Sequence, residues 1–183
     1  MRTAAITLVF LASIRHLLAA DPDRDFSGKW ILDAHASNTQ SLSTPQETSL
    51  TCAQQDSLLK CSTIRPDASP VEWTYDLNGA DTRYRFGDES RNSKVKWEGA
   101  ALLINTIVSG PRDYSILDRW TLSPDHSLLT IGRQSMQNGA EMEGTLVYRR
   151  EGQPAPGNAS AQQAATPPSL RPPAPTSARC CRT

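Results

Sequence analysis

The chain has 183 residues, with 19 Lys and Arg against 19 Asp and Glu, so it lacks the basic excess that marks a nucleic-acid-binding surface. Its longest apolar run lies within the opening "MRTAAITLVFLASIRHLLAA". At about twelve residues, Thr3 to Ile14, that run is too short for a bilayer, which takes roughly twenty.

Arg2, the apolar run and the small residues Ala19 and Ala20 read instead as a secretory signal peptide over 1–20. Removing it takes away Arg2 and Arg15 and no acid, which leaves 17 basic against 19 acidic side chains, a balance of −2. The mature chain is therefore expected to be secreted or periplasmic, with no integral membrane segment and no nucleic-acid partner. No cysteine follows the leader, so a lipid anchor is not supported.

From residue 21 the apolar positions recur with a period of two, the mark of strands with one buried face. Strands are expected near 26–33, 47–55, 58–65, 70–77, 81–87, 91–98, 101–109, 113–123, 127–136 and 140–150. In "VEWTYDL" Val71, Trp73, Tyr75 and Leu77 share one face. "SKVKWEG" turns Val95 and Trp97 inward against Lys94 and Lys96, and "YSILDRWTL" aligns Tyr114, Ile116, Trp120 and Leu122, with Asp118 the polar exception on that face. Turn signals separate these runs at Asn78-Gly79, Glu98-Gly99, Gly110-Pro111, Pro124-Asp125 and Asn138-Gly139. The connections are too short for crossover helices, so neighbours pair antiparallel. Only residues 32–48 leave room for a short helical turn or a lid loop.

Eight to ten such strands must hide one apolar face each, and a sheet closed on itself does so while removing both edges. The fold class expected is all-β: an antiparallel up-and-down meander β-barrel over 21–151. After it, residues 152–183 hold seven of the thirteen prolines and no aromatic residue. Such a stretch buries too little surface to offset its ordering entropy and reads as a disordered tail.

Four cysteines form two pairs. If Asp56 and Ser57 make a two-residue turn, Cys52 faces Cys61 at a non-hydrogen-bonded position, where side chains approach closest, and an exported protein would join them in a disulfide. Cys180 and Cys181, adjacent in the tail, suit a link to another chain or remain reactive thiols.

The order of "FSGKWILD", "VKWEGAALLI", "DRWTLSPDHSLLTI" and "MEGTLVYRR" resembles the lipocalin or calycin arrangement, and within it a family of small secreted bacterial lipocalin-like proteins of largely unassigned function. The resemblance covers about residues 25–151. It implies that Trp30, two residues after Gly28, corks one end of the barrel under an arginine from the end of the chain, Arg149 or Arg150. The Cys52/Cys61 pair and the tail depart from that pattern.

Candidate lining residues of a ligand cavity are Trp73, Tyr75, Trp97, Tyr114, Trp120 and Met142, with Asp118 and Arg133 as polar groups among them. The alternative is a filled core in which Asp118 pairs with Arg133 or Arg119, because an unpaired buried carboxylate is costly. His35 and His126 have neither metal-ligand spacing nor a nucleophile nearby, and Glu141/Glu143 and Asp88/Glu89 read as solvated. No metal, cofactor or catalytic residue is expected. Two functions fit: a non-enzymatic exported barrel that binds or carries a small hydrophobic molecule, or a protein-binding module such as an inhibitor of an exported hydrolase or protease. An enzyme working at the barrel mouth ranks last.

Overall fold

In the computed structural model, residues 21–42, 47–64 and 69–152 are described. The leader, the proline-rich tail, Cys180 and Cys181 lie outside the described residues. A short 3-10 turn, Pro22–Arg24, precedes ten strands: β1 Gly28–Leu32, β2 Ser49–Gln55, β3 Leu58–Ile64, β4 Pro70–Asp76, β5 Thr82–Phe86, β6 Glu89–Glu98, β7 Ala101–Ser109, β8 Tyr114–Leu122, β9 Leu128–Gln137 and β10 Ala140–Arg150. Each expected strand is present. The largest shifts are of two residues: β1 and β2 begin that much late, and β6 that much early because Gly87 and Asp88 suffice to turn the chain.

All strands join one antiparallel sheet in the order β4-β3-β2-β1-β10-β9-β8-β7-β6-β5. The meander curls until its edges, β4 and β5, lie side by side, with the Trp73 and Tyr84 rings stacked at 6.0 Å. No backbone ladder joins these two strands among the described residues, so the expected closure is nearly but not fully achieved. Aromatic side chains, not a backbone ladder, fill this seam.

Strand direction gives the barrel two unlike ends. The β2–β3, β4–β5, β6–β7 and β8–β9 turns share one end with the start of β1 and the finish of β10. At that end Trp30 is fully buried and its indole Nε1 donates to the Phe26 carbonyl at 3.0 Å. Phe26, also fully buried, stacks on Trp97 at 6.0 Å and meets Trp120 edge-on at 5.8 Å. The Arg150 guanidinium lies over the Trp30 ring with Cζ at 4.3 Å from its centroid, and donates to the carbonyls of Ser27 at 2.7 Å and His126 at 2.9 Å. Of the two arginines considered, Arg150 is thus the one that covers the cork; Arg149 pairs outside with Asp33 at 2.8 Å.

Gly28 explains the spacing before the tryptophan. Its φ is +144°, and a Cβ there would stand 2.7 Å from Arg150 Nη1. A side chain at this position would collide with the guanidinium it has to admit.

The β2–β3 turn forms as expected, with Gln55 opposite Leu58 and Cys52 opposite Cys61. Both cysteines are buried and joined in a disulfide, their Cα atoms 4.2 Å apart as suits a non-hydrogen-bonded pair.

Candidate functional site

The other end of the barrel opens between the β5–β6, β7–β8 and β9–β10 turns and residues 33–42, which follow β1. That segment folds back along β10: Asn38 and Thr145 exchange both backbone hydrogen bonds at 2.8 and 2.7 Å. Gly144 makes this approach possible, since a Cβ on it would lie 2.6 Å from Leu42 Cδ1 and 2.8 Å from the Asn38 carbonyl. Gly144 is directly opposite Arg133 in the β9–β10 register and shares its inward face. Residues 33–42 thus form a strap along β10 at the mouth and carry no helix.

Below the strap, Arg133 grips Asp118 in a bidentate pair, Nε to Oδ1 and Nη2 to Oδ2, both at 2.8 Å. The two residues are cross-strand partners in the β8–β9 ladder. Their side chains are 12% and 7% exposed, and Glu47, 13% exposed, sets a second carboxylate 3.8 Å from Arg133 Nη1. Burial alone would disfavour the Arg133 cation; the Asp118 charge and hydrogen bonds, with Glu47, reverse that and hold its pKa well above the usual arginine range. Burial pushes the Tyr75 and Tyr148 hydroxyls far up as well, helped at Tyr75 by Tyr84 and Asp118 and at Tyr148 by Glu47.

Around this cluster stands an aromatic wall. Trp73 meets Tyr75 at 6.5 Å, Tyr84 at 6.0 Å and Phe86 at 6.0 Å between ring centroids, and Tyr75 meets Trp120 at 6.2 Å. Arg91 lies over Phe86 with Cζ at 4.1 Å from the ring, while its guanidinium holds Glu89 at 2.8 Å. The indole N–H groups of Trp73 and Trp120 are buried with no hydrogen-bond partner. What these side chains leave free is a cavity of about 20 Å³, room for about one water molecule.

Of the residues singled out in the sequence, Trp73, Tyr75, Asp118, Trp120 and Arg133 come together on this cavity. Asp118 takes Arg133 as its partner; Arg119 pairs with Glu98 outside. Trp97 does not reach the cavity, because it lies one residue before the end of β6 and packs under Phe26 at the corked end, with Arg24 over its ring at 5.1 Å. Tyr114 is also absent from the cavity wall. As the first residue of β8 it stands at the rim, where its hydroxyl donates to Glu89 at 2.9 Å. Met142 likewise does not line it. Glu89, read from the sequence as solvated, is half-buried between Arg91 and Tyr114.

Sequence reasoning missed Glu47, Tyr84, Phe86, Arg91 and Tyr148, all on the cavity wall. Tyr84, Phe86 and Tyr148 follow the same period of two as their inward neighbours and could have been found by it. Glu47 could not: counting back from buried Leu50 puts it on the outer face, but β2 starts only at Ser49 and the chain bends before it. His126 has φ 55° in the β8–β9 turn and meets Asp23 at 3.0 Å, a turn residue as expected. Among the described residues no three His, Cys, Asp or Glu side chains are grouped to hold a metal ion.

Ten antiparallel strands in one meander, curled around an inward-facing core and corked by Trp30 under Arg150, decide the architecture. The chain is a lipocalin-like barrel. Among solved structures the barrel is similar to a secretory abundant heat soluble protein from Ramazzottius varieornatus, with a TM-score of 0.52, 12% identity and coverage of 70% of this chain and 98% of that one. It is also similar to the zebrafish ileal bile acid-binding protein in complex with cholic acid, with a TM-score of 0.50, 14% identity and coverage of 68% and 98%. At such identities the likeness is one of fold. No protein-family model matches the sequence, and no curated protein matches it.

Proposed function

We propose that this barrel is an exported, non-enzymatic binding protein that takes a small hydrophobic molecule through its strapped mouth into the aromatic lumen. The observation that carries the proposal is the β4–β5 seam. Trp73, Tyr75, Tyr84 and Phe86 close it without a backbone ladder, so the resting cavity of about 20 Å³ can enlarge by moving side chains alone. Parting an aromatic pair costs about 0.5–1.5 kcal/mol. A buried CH₂ contributes about 0.8 kcal/mol. An entering chain of several methylenes therefore offsets the loss of two or three ring contacts.

The same cluster argues against acid–base or nucleophilic chemistry at the mouth. Asp118 is committed to a bidentate ion pair, and Tyr75 and Tyr148 are held far above the range in which a general acid or base works near neutral pH. Export is supported by the Cys52–Cys61 disulfide, a bond that persists in oxidising compartments.

A second reading, a protein-binding module such as a hydrolase inhibitor, is favoured by the small cavity together with an outer-wall patch. Ile107, Leu117 and Met136 stand on adjacent strands at 52%, 42% and 54% exposure, an apolar group of the kind that partners cover. Native mass spectrometry of protein purified from its own host separates the two. A retained small molecule whose loss accompanies Trp73→Phe supports lumen binding. An empty barrel whose tryptophan fluorescence also ignores apolar probes would sink it and leave the outer wall as the working surface.

A further inference from the structure

We infer that the lumen selects a cationic amphiphile, an alkylammonium-type headgroup on an apolar chain, over the corresponding carboxylate. The inference rests on the lumen-binding proposal above and adds the charge of the ligand to it. The cavity wall offers no guanidinium to an incoming acid. Arg133 is bound by both oxygens of Asp118 and faced by Glu47; Arg91 is bound by Glu89. Counted together, three carboxylates face two guanidiniums, a surplus of one negative charge.

That surplus is most available at Glu47. Among the described residues its carboxylate has its nearest cation at 3.8 Å, beyond hydrogen-bond reach, and the side chain stands 13% exposed on the cavity wall. The same cavity wall carries the Trp73, Tyr75, Tyr84 and Phe86 rings, side chains of the kind whose π-faces hold quaternary ammonium groups. Arg91 over Phe86 at 4.1 Å demonstrates that a cation is accepted on one of these faces. The two buried indole N–H groups of Trp73 and Trp120, without acceptors, suit a hydroxyl or ester oxygen next to the headgroup. A carboxylate would gain these two neutral donors while facing Glu47 and Asp118.

The experiment titrates tryptophan fluorescence of the full mature chain with three probes of one chain length: dodecyltrimethylammonium, dodecanol and dodecanoate, each below its micelle concentration. The ammonium should bind about tenfold or more tighter than dodecanoate at low salt, with the gap shrinking as ionic strength rises. In Glu47→Gln, checked for native circular dichroism, ammonium affinity should fall while dodecanol is unchanged, so that the preference over dodecanoate collapses. Dodecanoate binding as tightly as the ammonium, or a preference unmoved by Glu47→Gln, overturns the charge assignment and leaves lumen binding standing. Silence with all three probes overturns both. The wild-type ranking decides the matter even if the variant misfolds.

Discussion

Replacing Arg150 by Met removes the cation over the cork and keeps most of the aliphatic bulk. Three interactions go at once: the contact with Trp30 at 4.3 Å and the hydrogen bonds to Ser27 and His126 at 2.7 and 2.9 Å. A cation–π contact over a fully buried ring is worth up to about 2 kcal/mol, and each charged hydrogen bond adds about 1.5 kcal/mol at the low end suited to a part-buried donor. With water taking back part of the carbonyls, a net loss of about 3 kcal/mol is expected. For a domain of this size that corresponds to roughly 10 °C in Tm, read by circular dichroism, with the urea midpoint shifted and the slope unchanged. Gly28→Ala should act through the same group, since its Cβ would stand 2.7 Å from Nη1. The double variant Gly28→Ala/Arg150→Met must then lose less than the two singles combined. A Tm drop under about 2 °C for Arg150→Met, or strict additivity in the cycle, would refute the account of the corked end.

Three further outcomes follow from the same geometry. Reducing or replacing the Cys52–Cys61 disulfide, which closes a loop of sequence separation 9, should cost about 2–3 kcal/mol; alkylation of both thiols in exported protein without reductant would remove the bond altogether. Asp118→Asn should destabilise by about 3 kcal/mol by taking the charged bidentate partner from buried Arg133, whereas Asp118→Leu/Arg133→Leu should fall near neutral, and equal losses in the two would contradict a buried pair. In alkali, Tyr114, pushed up to about 12 by burial and by Glu89 against the opposing pull of Arg91, keeps its proton in the fold longer than in the unfolded chain. Since the unfolded state then binds fewer protons, stability present below pH 10 should be lost between about pH 10 and 12, with Tyr75 and Tyr148 adding to the loss; tyrosinate absorbance that rises well before the circular dichroism changes would count against it.

The barrel was legible in the sequence because its information is local. A period of two assigns each residue to a face, and two-residue turns such as Asp56-Ser57 and Asn138-Gly139 fix the next strand's register, so Cys52 had to meet Cys61. Period two says nothing about height along the barrel. Trp97, Trp73 and Tyr114 all read as large inward residues, yet they stand at the cork, the cavity and the rim respectively. Counting from the turns would have separated them: Trp97 is two residues from Gly99 at the corked end, while Tyr114 opens its strand at the other. Glu47 and the open seam needed more than counting. The first depends on where the chain bends before β2, and the second on whether the tenth strand's worth of curl brings β4 within ladder distance of β5, a global property that no single segment encodes.

The cork and the cavity are satisfied to different degrees, and that difference is where a function for the barrel begins. At the cork, the indole of Trp30, the guanidinium of Arg150 and the backbone around Gly28 each have partners, and the φ of +144° at Gly28 is one that glycine adopts freely. Around the cavity between the two ends the same kinds of group are left short: two buried indole N–H groups lack acceptors, Glu47 stands 3.8 Å from its nearest cation among the described residues, and the edges β4 and β5 meet without a backbone ladder. Buried polar groups without partners cost free energy in the resting protein. That cost is recovered when an incoming molecule brings the missing acceptor and charge, so a well-partnered cork can hold the barrel's shape while the under-satisfied cavity changes its own.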